Sequence, residues 1–273
     1  VILDPIMIYG MDLGIEGAAV ATVVSLCVNM AIYIGYIAKK KGVLRLSLKN
    51  IKLSKTIYKE VLKIGIPVLL FQILASAAMG AVNTASKPYG DYAVAAMGAV
   101  TRIMTVVTYV VFGFLKGFQP FAGYNYGAKN FGRLKKSIKL CLTWSTVFCV
   151  IAAVVLFISA DRIVSLFGTD IEMIKLAGTA LRINAVLLIT FGFQMVYASL
   201  YLSIGKSLAG SLLSLSRQGI FFFPLILALP HLFGLTGVIW VQPMADILTT
   251  ILTVIFSIKI NRGLSAKISS EMA

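Results

Sequence analysis

The chain has 273 residues, 59% of them hydrophobic and 13% charged, with a net charge of +15 and a mean hydropathy of +0.93. The charged share is about half that of an ordinary soluble domain, and the apolar residues fall in blocks of about 20, the length that crosses a bilayer as a helix. A soluble fold cannot bury so many long apolar blocks, so soluble enzymes, zinc modules and nucleic-acid readers are excluded. The chain reads as an all-α polytopic membrane protein.

Residues 1–10 form a short apolar block that begins at Val1, read as the tail of a first helix and hence as the mark of a truncated chain. Leu3-Asp4-Pro5 does not fit the charged region and apolar core of a signal peptide. Gly14 and Gly17 permit a tight turn into a full span over 17–38. Residues 39–60 are basic, with Ile51, Leu53, Ile57 and Val61 alternating with Lys, as in an interfacial helix. A third helix covers 62–86 and has Pro67 near its entry, where proline costs least. The fourth covers 90–115. A polar, Gly-rich, basic stretch follows over 116–139. Further spans are predicted over 137–159, 177–203, 208–230 and 234–258.

Basic residues fix an orientation. With 39–63 inside, alternation also places 116–139, 204–217 and the C-terminus inside. Those regions hold twenty Lys and Arg, against two, Lys87 and Arg162, on the other side. The C-terminus is therefore expected in the cytoplasm, and the basic surface is expected to face anionic headgroups rather than nucleic acid. Asp161, Asp170 and Glu172 could pair with Lys175 and Arg182. Cys27, Cys141 and Cys149 lack metal-ligand spacing and read as packing residues. His231 is the one histidine, beside Pro230 at a helix end. That leaves little material for a catalytic triad or a metal site, and no Walker pattern occurs. No enzyme and no resident cofactor are expected.

Two stretches repeat. Leu13-Gly14-Ile15-Glu16-Gly17-Ala18-Ala19 and Phe233-Gly234-Leu235-Thr236-Gly237-Val238-Ile239 each open a long apolar helix after a short turn. Their glycines are offset by 220 residues. The repeat suggests two halves of parallel topology, in a carrier of about 440 residues and twelve helices. Residues 1–38 would end the N-terminal lobe, 39–61 link the lobes, 62–258 form a six-helix C-terminal lobe, and 259–273 a cytoplasmic tail.

Polar residues within apolar spans are the candidates for function. Asp246, about a dozen residues into the last span, is the deepest acid. It reads as an interhelical hydrogen-bond or salt-bridge partner, with a coupling or cavity-lining role as the alternatives. Asp4 lies near the outer end of the first block. Arg102 is placed as a buried charge that needs a partner, or as a gate contact. Gln72, Asn83, Gln119, Asn184, Gln194 and Gln242 either join helices or line a cavity. Met79, Met97, Met104 and Met195, with Phe71, Tyr109, Phe114, Phe191 and Phe193, read as core or lipid-facing residues, or as soft walls for flat amphipathic ligands. Pro67, Gln119, Pro120, Gly123 and Gly127 read as hinge positions. Tyr124 and Tyr126 read as interfacial anchors.

The residues resemble a known family. Leu3-Asp4-Pro5 with Leu13 to Ala19 and Ala21-Thr22, Gly65-Ile66-Pro67, Tyr89-Gly90 through Gly98 and Arg102-Ile103, Gln119-Pro120 with Gly123 to Lys129, Leu181-Arg182-Ile183, and Trp240 with Pro243-Met244-Ala245-Asp246 are similar to motifs of the MATE (multidrug and toxic compound extrusion) family, in order and spacing. The resemblance is strongest to its bacterial MepA-like branch. It implies a partial fifth helix plus helices six to twelve of a twelve-helix, two-lobe MATE/MOP-type fold. It further implies an intact protein that is monomeric in the inner (plasma) membrane. Its activity would be export of small cationic amphipathic compounds in exchange for H+ or Na+, through a cavity that includes Gln72, Met79, Asn83, Asn184, Gln194 and Asp246. Val68 to Met79 carry only Gln72 as a strongly polar side chain, where some sodium-coupled relatives have an acid. The coupling acid is therefore expected in the first helix of a missing N-terminal lobe, which would be this chain's partner within the same protein. A lipid-linked oligosaccharide flippase of the same superfamily is the alternative, since Arg102, Lys116 and Arg182 could favour a pyrophosphate. A membrane-embedded enzyme or a channel fits less well.

Overall fold

A computed structural model describes residues 3, 6–10, 12–39 and 54–272, and all regular structure among them is helical. Asp4 and most of the 39–61 linker lie outside the described residues. The chain divides into two compact units, Val1–Tyr58 and Lys59–Ala273.

In the first unit a π-helical turn, Ile6–Gly10, precedes α1 (Gly14–Ala38). The Leu13 N–H donates to the Met7 carbonyl at 3.2 Å, and Gly14 turns the chain with φ +52°. A Cβ on Gly17 would stand 2.7 Å from the Met7 carbonyl oxygen, so the close return of the chain requires glycine there. Gly17 and Ala21 are the buried residues of α1, and most of its apolar side chains face outward.

The second unit contains all but the first four residues of α2 (Lys55–Ser86), then α3 (Asp91–Gly127), α4 (Phe131–Ile158), the short α5 (Ala160–Val164), α6 (Ile171–Ser203), α7 (Ser207–Leu215) and α8 (Phe222–Met272). A π-helical turn, Ser216–Ile220, joins α7 to α8. Residues 54–61, expected in the linker, include the first turns of α2. α8 is interrupted at Gly234, whose φ of 59° and ψ of −139° are not helical. The chain folds back there, and a Cβ on Gly237 would collide with the Leu229 carbonyl oxygen. The two expected Gly-x-x-Gly turns thus share a conformation: a glycine at positive φ, then one pressed against the backbone of the preceding helix.

Among the described residues, six helical stretches are long and apolar enough to cross a membrane. The last, Ser207–Ser269, has 63 residues, about twice what one crossing needs even when tilted. Its fold-back at Gly234 yields two arms, the spans expected over 208–230 and 234–258.

Two boundaries differ from expectation. α3 continues unbroken through the expected hinge positions to Gly127, past the predicted end of its span at 115, and only 128–130 separate it from α4. Packing sustains this helix. Ala122 and Asn125 are buried, and a Cβ on Gly123 would lie 3.1 Å from the Ser203 carbonyl oxygen. Tertiary contacts thereby offset the hydrogen bond that Pro120 removes. At the other end, the expected 259–273 tail is helical to Met272. Buried Ile260 and Leu264 carry the apolar stripe of α8 onward.

α6 is the central element. It packs against α3, α4, α5, α7 and α8, and every residue from Gln194 to Tyr201 is buried. Small side chains allow the close approach. A Cβ on Gly192 would meet the Ser145 backbone of α4 at 3.0 Å, and Ala96, Ala99, Ala177, Ala180, Ala185 and Ala198 are buried at the helix interfaces. Where lipid removes the hydrophobic drive between helices, such packing supplies much of their association. Trp144, Ile151 and Ile158, seven residues apart on α4, remain exposed as a lipid-facing stripe would.

Candidate functional site

The polar centre of the second unit is a buried ion pair. Asp246, on the second arm of α8, is 4% exposed, and Arg217, on the π-helical turn, is 8% exposed. Arg217 Nε donates to Asp246 Oδ1 at 2.7 Å and Nη2 to Oδ2 at 3.3 Å. This two-pronged geometry is the strong form of the contact. Gln242, one turn before Asp246, donates to the same Oδ1 at 3.0 Å. The guanidinium also lies over the Phe191 ring of α6, 4.7 Å from its centroid. π-Helical turns are rare and often occur at functional positions; here the turn carries the cation of the pair.

An aromatic chain runs from this pair toward α2. Phe191 meets Phe112 of α3 edge-on at 5.9 Å, and Phe112 meets Phe71 of α2 at 6.3 Å. Beside it, a Cβ on Gly219 would lie 2.7 Å from Leu74 Cδ1, so α2 approaches the π-helical turn closely. Gln194 of α6 donates to the Asp246 carbonyl at 3.0 Å and to Thr250 Oγ1 at 2.9 Å. Lower on the same seam, Tyr201 donates to the Phe256 carbonyl and Asn261 to Tyr197 Oη. Side-chain hydrogen bonds thus join α6 to α8 at three levels.

The expected cavity residues separate into two groups. Gln194 and Asp246 are brought together, but inside packed helices, and Asn184 is buried with its amide donating to the Ala180 carbonyl of its own turn. Asn184 thus bonds within its own helix, Gln194 bonds across to α8 although its Oε1 has no hydrogen-bond partner among the described residues, and Asp246 is held by Arg217 and Gln242. Gln72 and Met79 are exposed on α2, and Asn83 is half-buried.

Arg102, expected to be buried, is exposed. It falls on the outward stripe of α3 with Ala95, Val106 and Tyr109, opposite the buried stripe of Ala96, Val100 and Ile103. Arg217, counted with the basic surface, is instead buried beside the acid it neutralises. Removing it leaves nineteen basic residues on the expected cytoplasmic side against two. Phe191 and Phe112 were legible only as apolar residues. Of the hinge positions, Pro67 and Pro120 lie within continuous helices, Gln119 and Gly123 are partly buried and Gly127 is exposed.

A second ion pair lies at the opposite end of α6. Arg182 Nη2 is 2.6 Å from Asp161 Oδ2, linking α6 to α5, and Asp170 caps the N-terminus of α6 by accepting from the Glu172 N–H at 2.9 Å. Among the described residues no three metal-ligating side chains group together.

Comparison with known proteins assigns this architecture. The family profile MatE matches residues 67–228. The multidrug export protein MepA of Staphylococcus haemolyticus is 30% identical over 246 residues, 90% of this chain and 54% of that protein. The MATE transporter VcmN of Vibrio cholerae superposes with a TM-score of 0.82 at 24% identity, covering 96% of this chain and 59% of its own. A MOP superfamily transporter from Pyrococcus furiosus superposes with a TM-score of 0.84 at 23% identity, over 97% of this chain and 60% of its own. The reverse polarity of that protein's binding pocket is said to suggest a different function. These relatives are named as an export protein and transporters, not as enzymes. The chain spans about half the length of the curated relatives it matches.

Proposed function

We propose that this chain, which belongs to the MatE family, is part of a secondary active antiporter that exports cationic amphipathic compounds in exchange for H+ or Na+. The observation that carries this reading is the likeness, over 90% of the chain, to a protein named for multidrug export. The chain takes the place of the C-terminal portion of a MepA-like carrier in the cell membrane, with its C-terminus cytoplasmic, and the intact protein acts as a monomer. Its second unit is one lobe of an alternating-access pair.

The buried ion pair has a defined part in this scheme. Asp246 is occupied by Arg217 and Gln242, so its negative charge is already balanced and its oxygens already engaged. It serves as a clamp that holds the α8 hairpin, not as the coupling acid. The coupling carboxylate belongs to the part of the family's length that this chain does not span. The substrate passes along exposed faces of α2 and α3, where Gln72, Met79 and Tyr109 offer a polar, a soft and an aromatic surface to a flat cation. Pro67 and Pro120, each lacking a backbone donor, let these helices bend as access alternates.

Ethidium efflux from cells that make the protein should stop when the ion gradient is collapsed while ATP is maintained. Efflux that continues would refute the gradient-driven antiport. A second reading, a lipid-linked oligosaccharide flippase, is favoured by exposed Arg102 and Lys116 on α3 and by the likeness to the Pyrococcus furiosus transporter. Gradient-dependent ethidium efflux would decide against it.

A further inference from the structure

At one end of the second unit the ends of several helices enclose a cavity of about 180 Å³. Lys206, between α6 and α7, and Lys259 and Lys267, on the second arm of α8, stand around it, and all three are exposed. Its inner wall is apolar and aromatic, formed by Tyr201, Phe256 and Leu264 among others, and none of the residues lining it is acidic. The wall is rigid. Tyr201 donates to the Phe256 carbonyl at 2.9 Å, and the two rings meet edge-on at 5.6 Å. Lys267 is held over the rings of Tyr126 and Phe131, 5.0 Å from each centroid, and donates to Tyr126 Oη at 3.3 Å. Lys135 of α4 adds a further cation nearby, donating to Ser265 at 3.1 Å.

This differs from a merely basic surface in two ways. The cations converge on a concavity, and the concavity continues into apolar side chains. A free anion needs only the first feature. An amphiphile whose phosphate sits among ammonium groups, with its glycerol and first methylenes against rings, uses both. The cavity lies where the apolar spans α3 and α6 end and α7 begins, the level at which lipid headgroups meet the ends of membrane-spanning helices. We infer that it is a binding site for the headgroup of one anionic phospholipid, with the phosphodiester held by Lys206 and Lys259 and the glycerol end against Tyr201 and Phe256.

The test is native mass spectrometry of the purified protein in mild detergent, titrated with phosphatidylglycerol and, separately, with phosphatidylcholine. The wild type should bind one phosphatidylglycerol in preference to phosphatidylcholine. The double variant Lys206→Gln/Lys259→Gln should bind it more weakly by about thirtyfold, since each surface cation near an anionic lipid contributes about fivefold. The Lys206→Arg/Lys259→Arg protein should retain the affinity. The control Lys87→Gln/Lys175→Gln, which removes the same charge elsewhere, should bind as the wild type does. Unchanged affinity in the first variant, or an equal loss in the control, would overturn the site. Displacement of the lipid by inorganic phosphate would overturn its assignment to a lipid.

Discussion

Two aspartate–arginine pairs in this chain have nearly equal lengths, 2.6 Å for Asp161–Arg182 and 2.7 Å for Asp246–Arg217. Their surroundings differ. The side chains of Arg182 and Asp161 are 34% and 56% exposed, whereas those of Arg217 and Asp246 are 10% and 6% exposed. Water can replace either partner of the first pair, so that bridge adds little beyond what each charge has in solvent. The second pair lies among apolar helices, where a lone charge has no substitute partner. Distance alone would rank the two contacts equal; burial makes one a convenience and the other a pair in which neither charge can be removed alone without cost. The buried pair also joins the two arms of the α8 region across the reversal at Gly234. It therefore fixes which faces of those arms meet.

The largest effect is expected from removing one buried partner. Asp246→Ala should lower thermal stability in detergent by an amount on the order of 3–5 kcal/mol, with a matching fall in abundance in the membrane. Wild-type melting and abundance would show that the pair is dispensable. Next comes replacement of both charges. Arg217→Met with Asp246→Leu should be closer to the wild type in melting temperature than either single change, because no unpaired charge remains. Simple addition of the two single losses would contradict the clamp. The smallest effect belongs to the exposed pair. Asp161→Asn should cost less than about 1 kcal/mol, and added salt should shrink the difference from the wild type, measured by the same melting experiment.

The positions of the spans could be read from hydropathy because lipid forces backbone groups to bond within each helix. The Gly14/Gly17 and Gly234/Gly237 turns could be read because positive φ and close backbone approach both select glycine. The unbroken run of α3 through Pro120 could be read only in part. Pro, Gly and Lys in that stretch signal a hinge locally, and the contact of Gly123 with Ser203 shows why the helix persists. Arg217 was hidden for a similar reason. In composition it counts as one more cytoplasmic cation, and it and Asp246 stand at unequal distances along the chain from the reversal at Gly234. Only the packed hairpin, with the π-helical turn in its first arm, brings the two charges level.

The enclosure of α6 has a consequence for any survey of this protein by mutation. From Gln194 to Leu200 no face of the helix is open, so nothing there can touch a passing compound or a lipid. Loss of activity from changes in those seven positions would report on how the helices assemble. A map of the translocation route drawn from such losses would mistake the axle for the road.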